Sequence, residues 1–515
     1  MDKQWYTTFD YLSNMAKTFY LTTPIYYIND RPHIGHAYTT IVADVIARYH
    51  RLTGKDVFFA TGTDENSQKS VDAAQKAGAA TIQGYIDEMA AQWESTWKEM
   101  DLTFTDFIRT TQPRHLAAVR EFFRRVEAKG DIYEGEYQGL YCTGCEAFYR
   151  ATDLNEAGEC PLHRRKPETI KEKNYFFRLT KYRDALLAHI ESHPEFVQPT
   201  SRRNEIVNYI KDHLEDVSIS RQTQTWGIPV PTDPSQVLYV WFDALINYLS
   251  VIGFGTDQAQ FEKFWPAQVQ LVGKDIIKFH CALWPAMLMA ADIAIPEQVF
   301  AHGFFTIDGQ KMSKSLGNVI DPVTTAQKYT KDALRFFLLR EITFGEDGDF
   351  SLEKLETRYN DELGNALGNL VSRVVVMHHK FSDSVIPACG VIPPTYDATW
   401  KHYADAMERF DFTSALTVIW DHVRDANRVI TEEKPWELAK NNDASLGTVL
   451  YLLADKLMHV AYMLLPIMPE TATKMLSQLG CEAPGAVWAP GIELSHITAG
   501  QRVGQSQILF PKIGE

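Results

Sequence analysis

Two stretches of the chain, separated by about 200 residues, share a strand–helix–strand pattern. In the first, "TFYLTTPIY" and "DVFFATGTD" read as buried strands around a helix that ends at Gly54. In the second, the strands "VQLVGKD" and "EQVFAHGFFTI" flank the helical "IIKFHCALWPAMLMAA". Such units build parallel sheets, because a right-handed crossover helix joins the two strands. The pattern predicts an α/β fold, with one Rossmann-like doubly wound parallel sheet split by an insertion.

The sequence after about residue 350 predicts a different architecture. Apolar residues recur at helical spacing at Leu363, Leu367 and Leu370, without strand-like alternation, which favours a C-terminal helical bundle. We expect the following organisation: a tail (1–16), the first half of the sheet domain (17–130), a cysteine-containing insertion (131–235), the second half (236–306), a lysine-containing loop with its following region (307–360) and the bundle (361–515).

Charge and hydropathy bear on three questions: nucleic-acid binding, membrane contact and cellular location. The net charge of −15 argues against a generally basic nucleic-acid binder, although binding requires only a local basic surface. The longest apolar stretch, "VLYLLADKLMHVAYMLLPIMP", is interrupted by Asp455, Lys456 and His459, so it predicts a buried helix and no membrane contact. The first residues lack a signal-peptide pattern, and Met15 is a possible alternative start, so we expect a cytoplasmic location.

Half of the six cysteines lie in the insertion, within "YCTGCEAFYRATDLNEAGECPLHRRK". Cys142, Cys145, Cys160 and His163 follow the spacing C-x2-C-x14-C-x2-H, in which two tight pairs fold back on each other. Three thiolates and one imidazole complete a tetrahedral Zn²⁺ shell without an open position. The spacing therefore predicts one structural zinc rather than a catalytic one.

Two motifs on the two halves of the sheet point to oligophosphate chemistry. His33 and His36 flank Gly35 at the start of a helix, where exposed amides favour an anion, although surface or capping histidines are the alternative for this motif alone. Lys311 and Lys314 lie in the loop "DGQKMSKSLGN" after a parallel strand, where they could neutralise charge on a phosphate chain. The joint occurrence of both motifs favours the phosphate interpretation.

Together with further stretches, these motifs resemble the class I aminoacyl-tRNA synthetases and, within that class, the methionyl-tRNA synthetases. The resemblance runs from about Lys17 to the end of the chain. It rests on the CxxC…CxxH insertion and on "TTPIYYINDRPHIGHAY", "GTDE", "VWFDALINYL", "GKDIIKFHCALWPAML", "HGFFTIDGQKMSKSLGN" and "NLVSR…KPWELAK".

The resemblance implies that methionine and ATP, with Mg²⁺, form methionyl-adenylate and pyrophosphate, and that methionyl is then transferred to the 3′ end of tRNA(Met), initiator and elongator. It implies that His33 and His36 contact the phosphates, that Lys311 and Lys314 stabilise the pyrophosphate side as further catalytic residues, and that Asp275 binds the ATP ribose. The substrate carboxylate is already ionised, so no side chain need act as base or nucleophile.

The resemblance also implies a methionine pocket. Asp64, at a strand end, suits the substrate ammonium, with a helix cap as the alternative, and His280 lies on a helix face where a satisfied core histidine is the default. An apolar, aromatic pocket suits a polarizable thioether. The implied pocket residues are Ile25, Tyr27, Asp64, Trp241, Ala244, Leu245, Tyr248, Ile276 and His280.

For tRNA, the resemblance implies anticodon contacts by Asn369, Arg373 and Trp436 on the bundle, with core packing as the alternative for Trp436. Region 307–360 then contacts the acceptor stem. The chain has Asn66-Ser67 where many relatives have His-Gly, which leaves the roles of these two positions open. It lacks the dimerising module of some relatives, so we expect a monomer.

Other readings are weaker. The valine, isoleucine and leucine enzymes carry a large editing domain, for which the span between His36 and Lys311 is too short. The cysteine enzyme uses zinc in its amino-acid pocket, and small nucleotidyltransferases lack a "KMSKS" loop. A catalytically silent tRNA-binding relative remains the alternative to the enzyme.

Overall fold

The computed structural model describes residues 18–145, 147–149, 151–162, 164–312, 317–483 and 496–513, so the predicted tail (1–16) lies outside the described residues. The strands are β1 (Thr18–Tyr27), β2 (Asp56–Asp64), β3 (Asp106–Arg109), β4 (Ile132–Cys142), β5 (Ala147–Tyr149), β6 (Glu168–Phe177), β7 (Val197–Gln198), β8 (Val217–Ser218), β9 (Ser220–Arg221), β10 (Pro229–Val230), β11 (Asp233–Leu238), β12 (Val269–Gly273), β13 (Val299–His302), β14 (Phe305–Ile307), β15 (Gln310–Lys311) and β16 (Gly348–Phe350). The helices are α1 (Ile34–Leu52), α2 (Gln68–Lys76), α3 (Ile82–Glu99), α4 (Pro113–Ala128), α5 (Arg183–Ser192), α6 (Thr200–His213), α7 (Val240–Ala244), α8 (Asn247–Ser250), α9 (Gln258–Phe264), α10 (Trp284–Ala290), α11 (Pro322–Tyr329), α12 (Lys331–Glu341), α13 (Leu352–Arg358), α14 (Asn369–Phe381), α15 (Asp397–Glu408), α16 (Phe412–Glu433), α17 (Pro435–Lys440), α18 (Leu446–Leu464) and α19 (Pro469–Leu479).

Among the described residues the chain forms two compact units. The sheet unit comprises 18–32 and 57–302, and the helical unit comprises 33–56 and 303–513. Wider π-helical turns at Phe279–Leu283 and Tyr359–Gly368 lead into α10 of the sheet unit and α14 of the helical unit, respectively.

The sheet unit contains the predicted split sheet. Its six strands lie in the order β3-β2-β1-β12-β13-β7, and β2–β3, β1–β12, β12–β13 and β13–β7 pair in parallel. Leu21 of β1 pairs with Val269 of β12, so strands from the two sequence halves are neighbours, as predicted. The first five strands follow the Rossmann order, whose carboxyl edge is where ligands bind. The short β7, from the insertion, extends the sheet.

The prediction of one continuous strand over "EQVFAHGFFTI" is wrong, because this stretch forms two strands that belong to different sheets. β13 belongs to the parallel sheet, whereas β14 pairs in parallel with β16 and antiparallel with β15 in a separate three-stranded sheet. The break falls at Gly303, where a Cβ atom would stand 2.3 Å from the carbonyl oxygen of Glu346. Only glycine allows the two backbone segments to approach this closely.

The insertion has its own antiparallel sheet, in the order β5-β4-β6-β8. β4 and β6 pair over a long register, from Ile132 with Phe177 to Tyr141 with Glu168. This pairing carries the chain to Cys142, at the end of β4, and so places the first cysteine pair.

The helical unit contains α1, the three-stranded sheet and the predicted C-terminal helices. α1 ends as predicted, since Gly54 follows it with φ 84°, a conformation that glycine adopts without strain. α12 is tied to α1 and to the bundle by the fully buried Arg335. Its guanidinium donates to Asp44 of α1 at 2.7 Å, to the carbonyl of Ile467 at 2.8 Å and to that of Pro466 at 3.0 Å.

The stretch predicted as a buried helix forms α18, where Asp455 and His459 are buried. Asp455 accepts from the backbone N–H of Ile497 at 2.7 Å, which explains how a carboxylate is tolerated there. Over the part of the chain described, none of the helices is long and apolar enough to cross a membrane.

Candidate active site

The two predicted phosphate-binding histidines form the N-terminal cap of α1. His33 Nδ1 accepts from the backbone N–H of Gly35 at 3.1 Å, and His36 Nδ1 accepts from the backbone N–H of His33 at 3.2 Å. The two rings stack with centroids 3.7 Å apart. This reciprocal arrangement is a capping box built from imidazoles in place of the usual Ser/Thr and Glu.

The capping bonds determine which ring nitrogen carries the proton. Because each Nδ1 accepts a backbone N–H, a neutral ring carries its hydrogen on Nε2. Burial lowers the pKa of His36 well below its usual range, and the neighbouring His33 lowers it further, so His36 is neutral at physiological pH. Both rings therefore present an Nε2–H donor at a helix N-terminus, where the backbone dipole favours an anion.

The helical unit also brings the lysine loop to this helix start. The backbone N–H of Ile34 donates to the carbonyl of Ile320 at 3.0 Å. A Cβ atom on Gly35 would lie 3.4 Å from the methyl carbon of Met312, so this glycine leaves space for the beginning of the loop. Lys311 pairs in β15 with Thr306 of β14, and Lys314 lies outside the described residues.

The predicted methionine-pocket residues all lie in the sheet unit, on β1, the end of β2, α7–α8 and the segment after β12. Ile25 and Tyr27 are half-buried on β1, and Lys69 lies over the Tyr27 ring at 3.9 Å from its centroid. Trp241 and Ala244 are buried on α7, and Leu245 follows that helix. Ile276, half-buried, packs against the same hydrophobic core.

Tyr248 and His280, two of the predicted pocket residues, form a neutral hydrogen-bonded pair. The hydroxyl of Tyr248 lies 2.7 Å from His280 Nε2, while His280 Nδ1 lies 3.0 Å from the carbonyl oxygen of Ile276. A carbonyl only accepts, so Nδ1 carries the hydrogen and Nε2 accepts from the tyrosine. Burial lowers the pKa of His280 to about 4 and raises that of Tyr248. The pair is uncharged at neutral pH, which would suit an apolar ligand.

One aromatic residue beside the predicted pocket residues, Phe279, is absent from the sequence-based prediction. Phe279 stacks on Trp241 with ring centroids 3.8 Å apart and planes 7° apart, and His280 meets Trp241 edge-on at 6.2 Å. The π-helical turn that starts at Phe279 places these two consecutive side chains around one indole. The position of Phe279 between Ile276 and His280 was the only signal available in the sequence.

Asp64 ends β2 and is 4% exposed. The alternative reading as a helix cap is wrong for Asp64, because the cap of α2 is Ser67, whose hydroxyl accepts from the N–H of Ser70 at 3.3 Å. Asp275 lies exposed in the turn Lys274–Ile276, directly after β12. Both acids thus follow parallel strands at their carboxyl ends, as the sequence predicted.

Three of the four predicted zinc ligands come together. Ligand atoms of Cys142, Cys145 and Cys160 all lie within 4.8 Å of one another, and the last two sulfurs are 3.4 Å apart. Sulfurs bound tetrahedrally at 2.3 Å stand about 3.8 Å apart, so the spacing fits a Zn²⁺ ion. All three are thiols rather than disulfides. The predicted fourth ligand, His163, lies outside the described residues.

A second cluster, of Asp455, His459 and His496, has metal-like spacing but the wrong chemistry. The indole N–H of Trp400 donates to His459 Nδ1 at 3.1 Å, so a neutral His459 ring carries its proton on Nε2 and has no lone pair left for a metal. Asp455 instead accepts from His496 at 2.9 Å and from a backbone amide. The cluster holds the segment at 496–497 against α18.

The predicted anticodon residues lie on two helices of the helical unit. Asn369 is exposed at the first residue of α14, and Arg373, one turn further along, donates to Asn427. Trp436 is 50% exposed at the second residue of α17, so packing in a core does not account for it.

Comparison with known proteins agrees with this geometry. A family model described as "tRNA synthetases class I (M)" matches residues 19–166 and 149–375. The methionine–tRNA ligase of Caldanaerobacter subterraneus subsp. tengcongensis is 46% identical over 97% of this chain and 79% of its own length. That of Streptomyces coelicolor is 42% identical over 97% of both chains. A structure of Mycobacterium tuberculosis methionyl-tRNA synthetase in complex with methionyl-adenylate matches with a TM-score of 0.90, at 38% identity over 96% of this chain and all of that chain.

The Rossmann-ordered sheet, the histidine-capped helix and the lysine loop define a class I aminoacyl-tRNA synthetase. The chain belongs to the methionyl-tRNA synthetase family.

Proposed function

We propose that this protein activates methionine with ATP and then transfers the methionyl group to the 3′ end of tRNA(Met), initiator and elongator, for translation. The observation that carries the choice of amino acid is the neutral Tyr248–His280 pair in a buried aromatic pocket, in a chain of this family. An uncharged pocket of this kind accepts a polarizable thioether and disfavours charged side chains.

In the activation step the methionine carboxylate attacks the α-phosphorus of ATP. A carboxylate-oxygen–phosphorus bond forms, the bond from that phosphorus to the oxygen bridging the β-phosphate breaks, and pyrophosphate leaves. Mg²⁺ bound to the phosphates would offset part of their charge. The Nε2–H groups of His33 and His36 donate to phosphate oxygens, and Lys311 and Lys314 stabilise the charge on the leaving pyrophosphate. Asp64 holds the ammonium of the substrate. No proton has to move, so positioning and electrostatics supply the catalysis.

The remaining assignments complete the proposal. Asp275 binds the ATP ribose, and a structural Zn²⁺ on Cys142, Cys145, Cys160 and His163 folds the insertion without taking part in the reaction. Asn369, Arg373 and Trp436 contact the anticodon, where an exposed indole is suited to stacking on an unpaired base. We place the enzyme in the cytoplasm and expect a monomer by light scattering.

ATP–pyrophosphate exchange with each of the twenty amino acids tests the proposal. Exchange driven by methionine alone supports both the reaction and the pocket. Exchange driven by another amino acid retains the synthetase and refutes the pocket assignment. A folded, zinc-loaded protein without exchange, but with tRNA binding, favours the catalytically silent relative.

A further inference from the structure

A buried polar chain connects the two sides of the proposed amino-acid pocket. Asp243 lies on α7, between Trp241 and Ala244, and is fully buried. One of its carboxylate oxygens lies 2.7 Å from His115 Nε2 on α4, and the other accepts from the Asn66 side-chain amide at 2.7 Å. We call Asn66, His115, Asp243 and Ser250 the Asp243 network.

The hydrogen bonds of this network are mutually consistent. A carboxylate accepts, so His115 donates from Nε2, while its Nδ1 lies 2.9 Å from the Ser250 hydroxyl, which itself lies 3.2 Å from the carbonyl oxygen of Asn247. The Asn66 amide also donates to the carbonyl of Thr110 at 3.3 Å. Each member is 4% exposed or less. Complete pairing of this kind makes a buried polar group rigid, and loss of one partner leaves a costly unpaired group.

The order Ser250, His115, Asp243 resembles a hydrolytic triad, but the burial argues for another role. Ser250 is 1% exposed, and His115 and Asp243 are 0% exposed. A nucleophile must meet its substrate within bonding distance, and no substrate carbonyl reaches a hydroxyl enclosed in this way. The network therefore fixes structure and performs no chemistry of its own.

Glu65, the residue before Asn66, is also fixed by hydrogen bonds in the loop after β2. Glu65 is fully buried, accepts from Arg109 Nε at 2.7 Å and from the Thr63 hydroxyl at 2.7 Å, and its backbone N–H donates to the Thr110 hydroxyl at 2.9 Å. Its charge is thus neutralised within the protein. Asp64 directly precedes these two anchored residues, Glu65 and Asn66.

We propose that Asn66 and His115 are positioning residues for methionine recognition. Through Asp243 they fix the loop that carries Asp64, which holds the ammonium, relative to α7, which carries Trp241 and Ala244. This inference rests on the proposed function. It assigns a role to Asn66, which the sequence left open: its amide supplies the second donor to the buried Asp243 carboxylate.

The decisive variant is Asn66→Asp, which places a second carboxylate at 2.7 Å from Asp243. Two ionised carboxylates at that distance repel each other, whereas the pair that binds one proton as the pH falls re-forms a hydrogen bond between positions 66 and 243. We expect the methionine KM in ATP–pyrophosphate exchange, relative to wild type, to rise about tenfold at about pH 8 and to recover in part at about pH 6, with the ATP KM within about twofold. A purely structural defect would not show this separation or this pH dependence.

A charge swap provides the rescue. In the double variant Asn66→Asp/Asp243→Asn the amide and the carboxylate exchange places, so the short bond between the two positions is restored and His115 can still donate to the carbonyl oxygen of the amide now at position 243. Only the longer bond from position 66 to the Thr110 carbonyl, at 3.3 Å, stays lost. The methionine KM should then return to within about threefold of wild type. Gln478→Ala is the matched control, since Gln478 is a buried amide of α19 that accepts from the backbone N–H of Gln507 at 2.8 Å. Its loss should lower stability without changing the methionine KM.

Parallel rises of the methionine and ATP KM values, an unchanged methionine KM, or a swap that fails to restore it would each overturn the inference. If Asn66→Asp does not fold, Asn66→Ala gives the same test of methionine against ATP, without the pH dependence. Equilibrium dialysis, which measures methionine binding without the reaction, distinguishes a failure of the proposed function from a failure of the positioning role. Absent exchange by the wild type refutes the proposed function, whereas the ratio of variant to wild-type dissociation constants tests the network.

Discussion

The buried His280 of the proposed methionine pocket should make the protein's stability sensitive to acid. Burial lowers the pKa of His280 to about 4, against about 6.5 in the unfolded chain. Below pH 6.5 the unfolded state binds a proton that the folded state does not, so stability falls as the pH falls and the loss levels off below about 4. The full difference of 2.5 pKa units corresponds to about 3.4 kcal/mol, of which about 2 kcal/mol is already lost at about pH 5.

The variant His280→Gln isolates this contribution, because glutamine does not titrate and its carbonyl can still accept from Tyr248. We expect the free energy of unfolding in urea to fall between about pH 7.5 and pH 5 by about 2 kcal/mol less in the variant than in the wild type. His402→Gln, which replaces an exposed histidine, is the control and should follow the wild type. Equal losses in wild type and His280→Gln would show that His280 titrates in the folded protein as it does in the unfolded chain, and would refute the lowered pKa.

Three further predictions concern other parts of the chain. Arg335→Met leaves two carbonyls without their buried donor and Asp44 with Arg48 as its remaining partner, and should cost about 2–4 kcal/mol in urea unfolding, whereas Arg424→Met, in an exposed ion pair, should cost less than about 1 kcal/mol; equal costs would contradict the buried pairing. Cys160→Ala should abolish the binding of one zinc per chain, measured by elemental analysis of purified protein, and retention of stoichiometric zinc would exclude Cys160 as a ligand. Trp436→Ala should slow tRNA charging by about tenfold and leave ATP–pyrophosphate exchange unchanged, while equal damage to both steps would exclude the anticodon role.

Local patterns predicted the elements that position the site. The bounds of β2 coincide with the stretch "DVFFATGTD". A short run of β-branched and aromatic residues that ends at an acid strongly favours a strand over a helix or a loop. The pairing of β1 with β12 followed from topology, since two strand–helix–strand units in one chain most readily share a sheet. The cysteine spacing likewise predicted the association of three sulfurs, because two short-range pairs need only one chain reversal to meet.

Contacts that depend on close approach could not be predicted in this way. The break between β13 and β14 requires Gly303 to lie against Glu346, and neither residue carries a periodic signal for that contact. Asn66, His115 and Asp243 are far apart in sequence, and an isolated asparagine or histidine in a pattern of ordinary composition indicates no partner. Their association results from the packing of α4 and α7 in a common core, which only the assembled fold specifies.

The histidines at the start of α1 can cap the helix and also bind phosphate, so the two interpretations of this motif are compatible. The sequence left helix capping and phosphate binding as alternatives for His33 and His36. In the structure both rings cap the helix, and they do so through Nδ1. Because the two nitrogens of an imidazole point in different directions, a ring that accepts at Nδ1 must donate at Nε2 when it is neutral. Capping therefore selects the tautomer that phosphate binding needs, and burial keeps His36 in the neutral form in which that selection applies.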